Sequence, residues 1–123
     1  TDLTLLTYGP MLKTCMAAAD AAAEEGNSVE VVDLRSLSPL DRDTIVGSVT
    51  KTGRAVVVHE AQTFLGMGAE VAALVQQACF YQLEAPVLRV GGYNIPYPPS
   101  RHEEVFLPDL DRILDAVDTS LQY

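Results

Sequence analysis

Two valine-rich runs joined by a short polar segment do most to limit the folds open to this chain. Ser28–Asp41 reads SVEVVDLRSLSPLD, and Lys51–Glu60 reads KTGRAVVVHE. Val29–Leu34 has the composition of a buried strand. Asp41 is placed to cap a short helix whose core stripe is Ile45, Val46 and Val49, with Gly53 as its end. Ala55–Val58 is a second, nearly continuous apolar run. Strand, helix and strand in so short a span predict a βαβ unit with parallel strands covered on both faces. No nucleophile–base pair accompanies it.

The rest of the chain repeats this alternation. Leu3–Tyr8 predicts a strand closed by Gly9-Pro10. Met11–Glu25 then carries Leu12, Cys15, Met16, Ala19 and Ala23 at helical spacing before a Gly26-Asn27 stop. Gly66-Met67-Gly68 opens a third helix with Val71, Leu74, Val75, Ala78 and Cys79 on one face, and its last turn is expected to carry Phe80 and Tyr81. Pro86 starts a fourth strand, Val87–Val90. A loop over Gly91–Arg101 contains Pro96, Pro98 and Pro99, and a final helix carries Leu110, Ile113, Leu114, Val117 and Leu121. The expected fold is α/β: a three-layer α/β/α open sheet, mainly parallel, of about four strands. No internal repeat or linker interrupts it, so the 123 residues read as one domain.

Composition removes several function classes. With 48% hydrophobic and 20% charged residues the chain is globular rather than disordered. No apolar run approaches the ~20 residues of a membrane span, and Thr1, Asp2 and Thr4 stand where a secretory leader would be basic. Eight basic against 17 acidic residues, a net charge of −9, argue against nucleic acid and favour a basic partner or simple solubility. Cys15 and Cys79 fall on apolar helix positions and read as buried thiols of a cytoplasmic protein.

Four places carry candidate chemistry. Gly66-Met67-Gly68 could cradle an anion on backbone N–H groups, but Val71 stands where a dinucleotide fingerprint needs its third glycine. Close approach of helix to sheet explains these glycines as well. His59-Glu60 lies at the carboxyl end of the third strand, where ligands of open α/β sheets gather. Strand alternation would send the two side chains to opposite faces, so a structural role is the simpler reading. Arg101-His102-Glu103-Glu104 lacks the ligand spacing of a zinc site and suits a helix start. Finally, Glu84 with Phe80 and Tyr81 sets a carboxylate beside aromatic rings, a docking spot for a basic surface, and Tyr123 adds another ring.

Taken together, DLTLLTYG, VEVVDLRSLSPLD, the Lys51–Arg54 turn, VVVHEA, LEAPVLRVGGYNIPYPP and Leu107-Pro108 resemble the transketolase C-terminal domain. More narrowly, they resemble the last domain of the beta subunit of the decarboxylating component of 2-oxo acid dehydrogenases. The resemblance implies a thiamine diphosphate- and Mg²⁺-dependent enzyme of bacterial cytoplasm that decarboxylates a 2-oxo acid and acylates a lipoyl group on an acyltransferase core. Branched-chain substrates are favoured over pyruvate. It also implies that catalytic, cofactor and metal residues lie outside this domain, which would be a piece of a longer subunit, inactive alone and missing a short strand that precedes DLTLL in the family. Its implied partners are the alpha subunit and second beta subunit of a heterotetramer and the basic peripheral subunit-binding domain of the acyltransferase. Carried over by position, the docking residues are Phe80, Glu84 and the carboxylate of Tyr123. Two rivals stand beside this reading. One is a self-contained anion- or nucleotide-binding enzyme using Gly66, Gly68, His59 and Glu60; the other is the equivalent domain of a transketolase or deoxyxylulose-phosphate synthase.

Overall fold

A computed structural model describes residues 1–93 and 108–123. Four strands, β1 (Leu3–Thr7), β2 (Val29–Asp33), β3 (Ala55–Gln62) and β4 (Leu88–Gly92), alternate with helices α1 (Met11–Glu24), α2 (Arg42–Thr52), α3 (Met67–Cys79) and α4 (Leu110–Leu121). The strands pair in the order β2-β1-β3-β4, every pairing parallel. This is the expected α/β sheet. Its strand order reverses between β1 and β3, where ligands of such sheets commonly bind.

Side-chain alternation divides the core into two layers. Leu3 and Leu5 of β1 with Val56 and Val58 of β3 pack under α1 and α4 through Met11, Cys15, Ala18, Ile113 and Val117. Leu6, Ala55 and Val57 face the other way and pack under α2 and α3 through Ile45, Val49, Val71, Val75 and Cys79. Each fully buried valine or leucine contributes about 1.5–3 kcal/mol of transfer free energy.

The helix ends follow local chemistry. Asn27 N–H donates to Ala22 O and Gly26 N–H to Ala23 O, both at 3.0 Å, around a Gly26 at φ 89°. That is the paired closure that only a left-handed residue allows. Asp41 accepts the Thr44 N–H at 3.2 Å and caps α2. Gly53, at φ 75°, ends the same helix by donating to Val49 O at 2.8 Å.

Several boundaries shift by one residue from expectation, and three differences matter more. β3 runs past Val58 to Gln62, because Val58 pairs with Val90 and Gln62 with Gly92, leaving two extra residues on β3. This bulge breaks the alternation by which strand length is read from sequence. β4 takes in Gly91 and Gly92, which were expected in the loop. α3 ends at Cys79, so Phe80 caps the helix and Tyr81 lies beyond it rather than in its last turn. The segment with Pro96, Pro98 and Pro99 and the Arg101–Glu104 cluster lie outside the described residues. No described helix is long and apolar enough to cross a membrane.

Candidate docking surface

Past α3 the chain turns tightly, with Gln82 and Leu83 both donating to Cys79 O at 2.9 and 3.0 Å, and Glu84 N–H then reaches Gly53 O at 2.8 Å. This turn and the end of α4 enclose an open hollow of about 420 Å³ lined by Phe80, Leu83, Glu84, Ala85, Pro86 and Tyr123. The Phe80 and Tyr123 side chains remain 58% and 66% exposed, and Tyr81 packs edge-on against Phe80 with ring centroids 5.4 Å apart. Phe80, Tyr81 and Tyr123 leave large aromatic surface in water close to the Glu84 carboxylate. Phe80, Glu84 and Tyr123, three residues separated by up to 43 positions in the chain, thus share one hollow.

Arg54 stands behind this hollow. Its Nη1 donates to Glu84 Oε2 at 2.6 Å, and its Nε donates to the Ser120 carbonyl near the end of α4 at 3.1 Å. The arginine side chain is only 17% exposed while that of Glu84 is 60% exposed. Sequence reasoning noted the Lys51–Arg54 turn but gave its arginine no role. The other residues of that turn are occupied too. Lys51 pairs with Glu30 at 2.8 Å, and Thr52 Oγ1 shares a buried hydroxyl chain with Thr4 and Ser48 at 2.8 and 2.9 Å. Ser48 Oγ in turn donates to Glu30 at 2.7 Å. The Lys51 ammonium, first, and then the Ser48 hydroxyl hold the Glu30 carboxyl below its ordinary range.

The His59 neighbourhood has a different character. His59 is fully buried, and its Nδ1 lies 2.9 Å from Ala61 O, a partner that can only accept. The ring is therefore the Nδ1–H tautomer, with Nε2 a bare acceptor that has no partner among the described residues. Burial first, and the Arg89 charge in addition, push its pKa down, against the pull of the Ala61 carbonyl. Three glycines make room for it: a Cβ on Gly68 would lie 2.6 Å from Nε2, one on Gly66 2.9 Å from Cε1 and one on Gly91 2.8 Å from Cε1. The Gly66 position would also collide with Gln62 O. The glycines admit a ring, and the space a phosphate would need is filled by it. Glu60 makes no hydrogen bond to His59, so the acid–base pair of the rival reading does not assemble.

Among the described residues no three His, Cys, Asp or Glu side chains are grouped to hold a metal ion. His59 closes the glycine turn as well, so the Gly66–Gly68 turn gives the phosphates of thiamine diphosphate no cradle. Cys15 and Cys79 are buried free thiols, as expected, and burial pushes Cys15 up to about 11.

The family model described as "Transketolase, C-terminal domain" matches residues 1–113. Over 123 residues the chain is 53% identical to a pyruvate dehydrogenase E1 component subunit beta of Leifsonia xyli, covering 100% of the chain and 36% of the relative. It is 52% identical to a 3-methyl-2-oxobutanoate dehydrogenase subunit beta of Mycobacterium tuberculosis, covering 99% and 35%. The chain therefore spans little more than a third of the length of these curated relatives. Among solved structures, a split-gene transketolase described as an inactive beta4 tetramer superposes with a TM-score of 0.84 at 28% identity, over 98% of this chain and 38% of that one.

Proposed function

The chain belongs to the transketolase C-terminal domain family, and from that premise we propose that it is the assembly and docking domain of the beta subunit of a thiamine diphosphate-dependent 2-oxo acid dehydrogenase. It forms part of a longer subunit in the bacterial cytoplasm. The full enzyme, built with an alpha subunit and a second beta subunit, decarboxylates pyruvate or a branched-chain 2-oxo acid and acylates a lipoyl group. Thiamine diphosphate and Mg²⁺ supply the carbanion chemistry from other domains. This domain's own residues bind and orient a partner.

The observation that carries the reading is the hollow itself. Phe80, Glu84 and Tyr123 converge there on a chain of net charge −9, matching a basic peripheral subunit-binding domain in charge. Oε2 of Glu84 is taken by Arg54, which leaves Oε1 for a lysine or arginine of the partner. The apolar stem of that side chain has the Phe80 and Tyr123 rings to lie on. The relatives named above, both subunits of dehydrogenases, support the same assignment.

Hydrogen exchange of the full-length protein, with and without the recombinant binding domain of its acyltransferase, tests the proposal. Protection is expected in residues 80–86 and in the last turn of α4. Protection confined to other segments would reject this hollow as the docking site.

A further inference from the structure

The two halves of the hollow come from distant parts of the chain, the turn at 80–86 and the end of α4, and one side chain touches both. Arg54 is held at its own backbone, where its carbonyl accepts the Thr4 N–H at 2.9 Å and the Thr52 hydroxyl at 3.0 Å. From that fixed root its guanidinium sends Nη1 to Glu84 Oε2 and Nε to Ser120 O. A planar guanidinium presents these donors in a set relation that a lysine ammonium cannot reproduce. Gly53 completes the arrangement. A Cβ there would lie 3.2 Å from Cγ and Cδ of Glu84, so the bare glycine lets the glutamate cross the end of α2 on its way to Arg54. Among the described residues Oε1 of Glu84 accepts no bond, and its side chain is 60% exposed.

We propose that Arg54 is a positioning residue of the docking surface, fixing the Glu84 carboxylate against the last turn of α4 so that the acidic and aromatic halves of the hollow are set before a basic partner arrives. The inference rests on the docking reading. It differs from a purely electrostatic account in the sign of one effect. Arg54 is a positive charge beside the site, so Coulomb repulsion alone makes its removal favour a basic partner. A positioning role makes removal costly, because Glu84 and the end of α4 must then be ordered during binding.

The test measures binding kinetics of the full-length protein on the immobilised recombinant binding domain of its acyltransferase, at low and at physiological salt. Glu84→Gln tests the docking reading and is expected to weaken binding. Arg54→Met and Glu84→Asp, the second keeping the charge while withdrawing it from Arg54, are each expected to weaken binding roughly tenfold through faster dissociation, with association unchanged or faster. Arg54→Lys stays weakened because one ammonium cannot hold both contacts. Arg54→Met adds little in a Glu84→Gln background. If Glu84→Gln weakens binding while Arg54→Met binds as tightly as the wild type or tighter, the positioning role is wrong and docking stands. If Glu84→Gln has no effect, the docking reading fails and the inference with it. Should Arg54→Met not fold, Glu84→Asp decides alone, since it alters only a largely exposed side chain: wild-type dissociation in that variant would overturn the proposal.

Discussion

The backbone of Gly53 and the side chain of Glu84 share one narrow crossing. Glu84 N–H donates to Gly53 O at 2.8 Å, and a Cβ on Gly53 would stand 3.2 Å from Cγ and Cδ of Glu84 and 3.1 Å from Gln82 O. Gly53 also sits at φ 75°, which side chains other than glycine avoid. Gly53→Ala is therefore expected to lose about 1–2 kcal/mol of stability and to dislodge Glu84. Chemical denaturation measures the first effect, and weaker capture of the basic binding domain reads the second. A variant of wild-type stability would show that the crossing is looser than the geometry states.

His59 and Gly68 form a second close approach, with Nε2 2.6 Å from where a Cβ would stand. The ring is buried and bonded at Nδ1, so it has nowhere to move. Gly68→Ala should cost about 1–3 kcal/mol from overpacking. A melting temperature equal to the wild type's would mean that the ring yields easily.

The same histidine sets an acid limit. Its folded pKa lies below the ordinary 6.5, principally through burial. Between those two values the unfolded chain binds more protons than the folded one, so stability is full above pH 6.5 and declines as pH falls below it. The Glu30 carboxyl, held below its ordinary 4.5, adds its loss only further into acid. Melting temperature should fall between pH 7 and pH 5, and His59→Gln, though less stable, should flatten that fall. An identical slope in the variant would contradict the assignment.

Sequence alone made much of this fold readable, for physical reasons that are local. The valine runs of β2 and β3, the Asp41 cap and the glycine stops act within a few residues, and periodicity or turn chemistry reports them directly. Glu84 beside the Phe80 and Tyr81 rings could be read from their nearness in sequence, whereas the place of Tyr123 in the same hollow, 39 residues after Glu84, depends on packing and entered as a docking position only through family resemblance. Arg54 did not become legible at all, since its two partners lie 30 and 66 residues away and leave no periodic trace. Gly66 and Gly68 announced a close approach without saying whether an anion or a ring fills it; the His59 ring does, from a stretch of β3 where the register shift interrupts the alternation a sequence reader relies on.

The thiols give an independent check on the two-layer core. Cys15 belongs to one layer and Cys79 to the other, both are fully buried, and burial raises Cys15 to about 11. A thiol-reactive chromogen at pH 8 should find neither thiol in the native chain and both in denaturant. Rapid labelling of either one in the native state would mean that its helix does not pack as described.

The most direct test of the docking account reverses one charge. Calorimetry at low salt should find that Glu84→Lys, in the full-length protein, weakens binding of the acyltransferase's basic peripheral subunit-binding domain by about 2–3 kcal/mol, and the melting temperature should fall as well, because the new ammonium stands against the largely buried Arg54 guanidinium. An unchanged affinity would contradict the account.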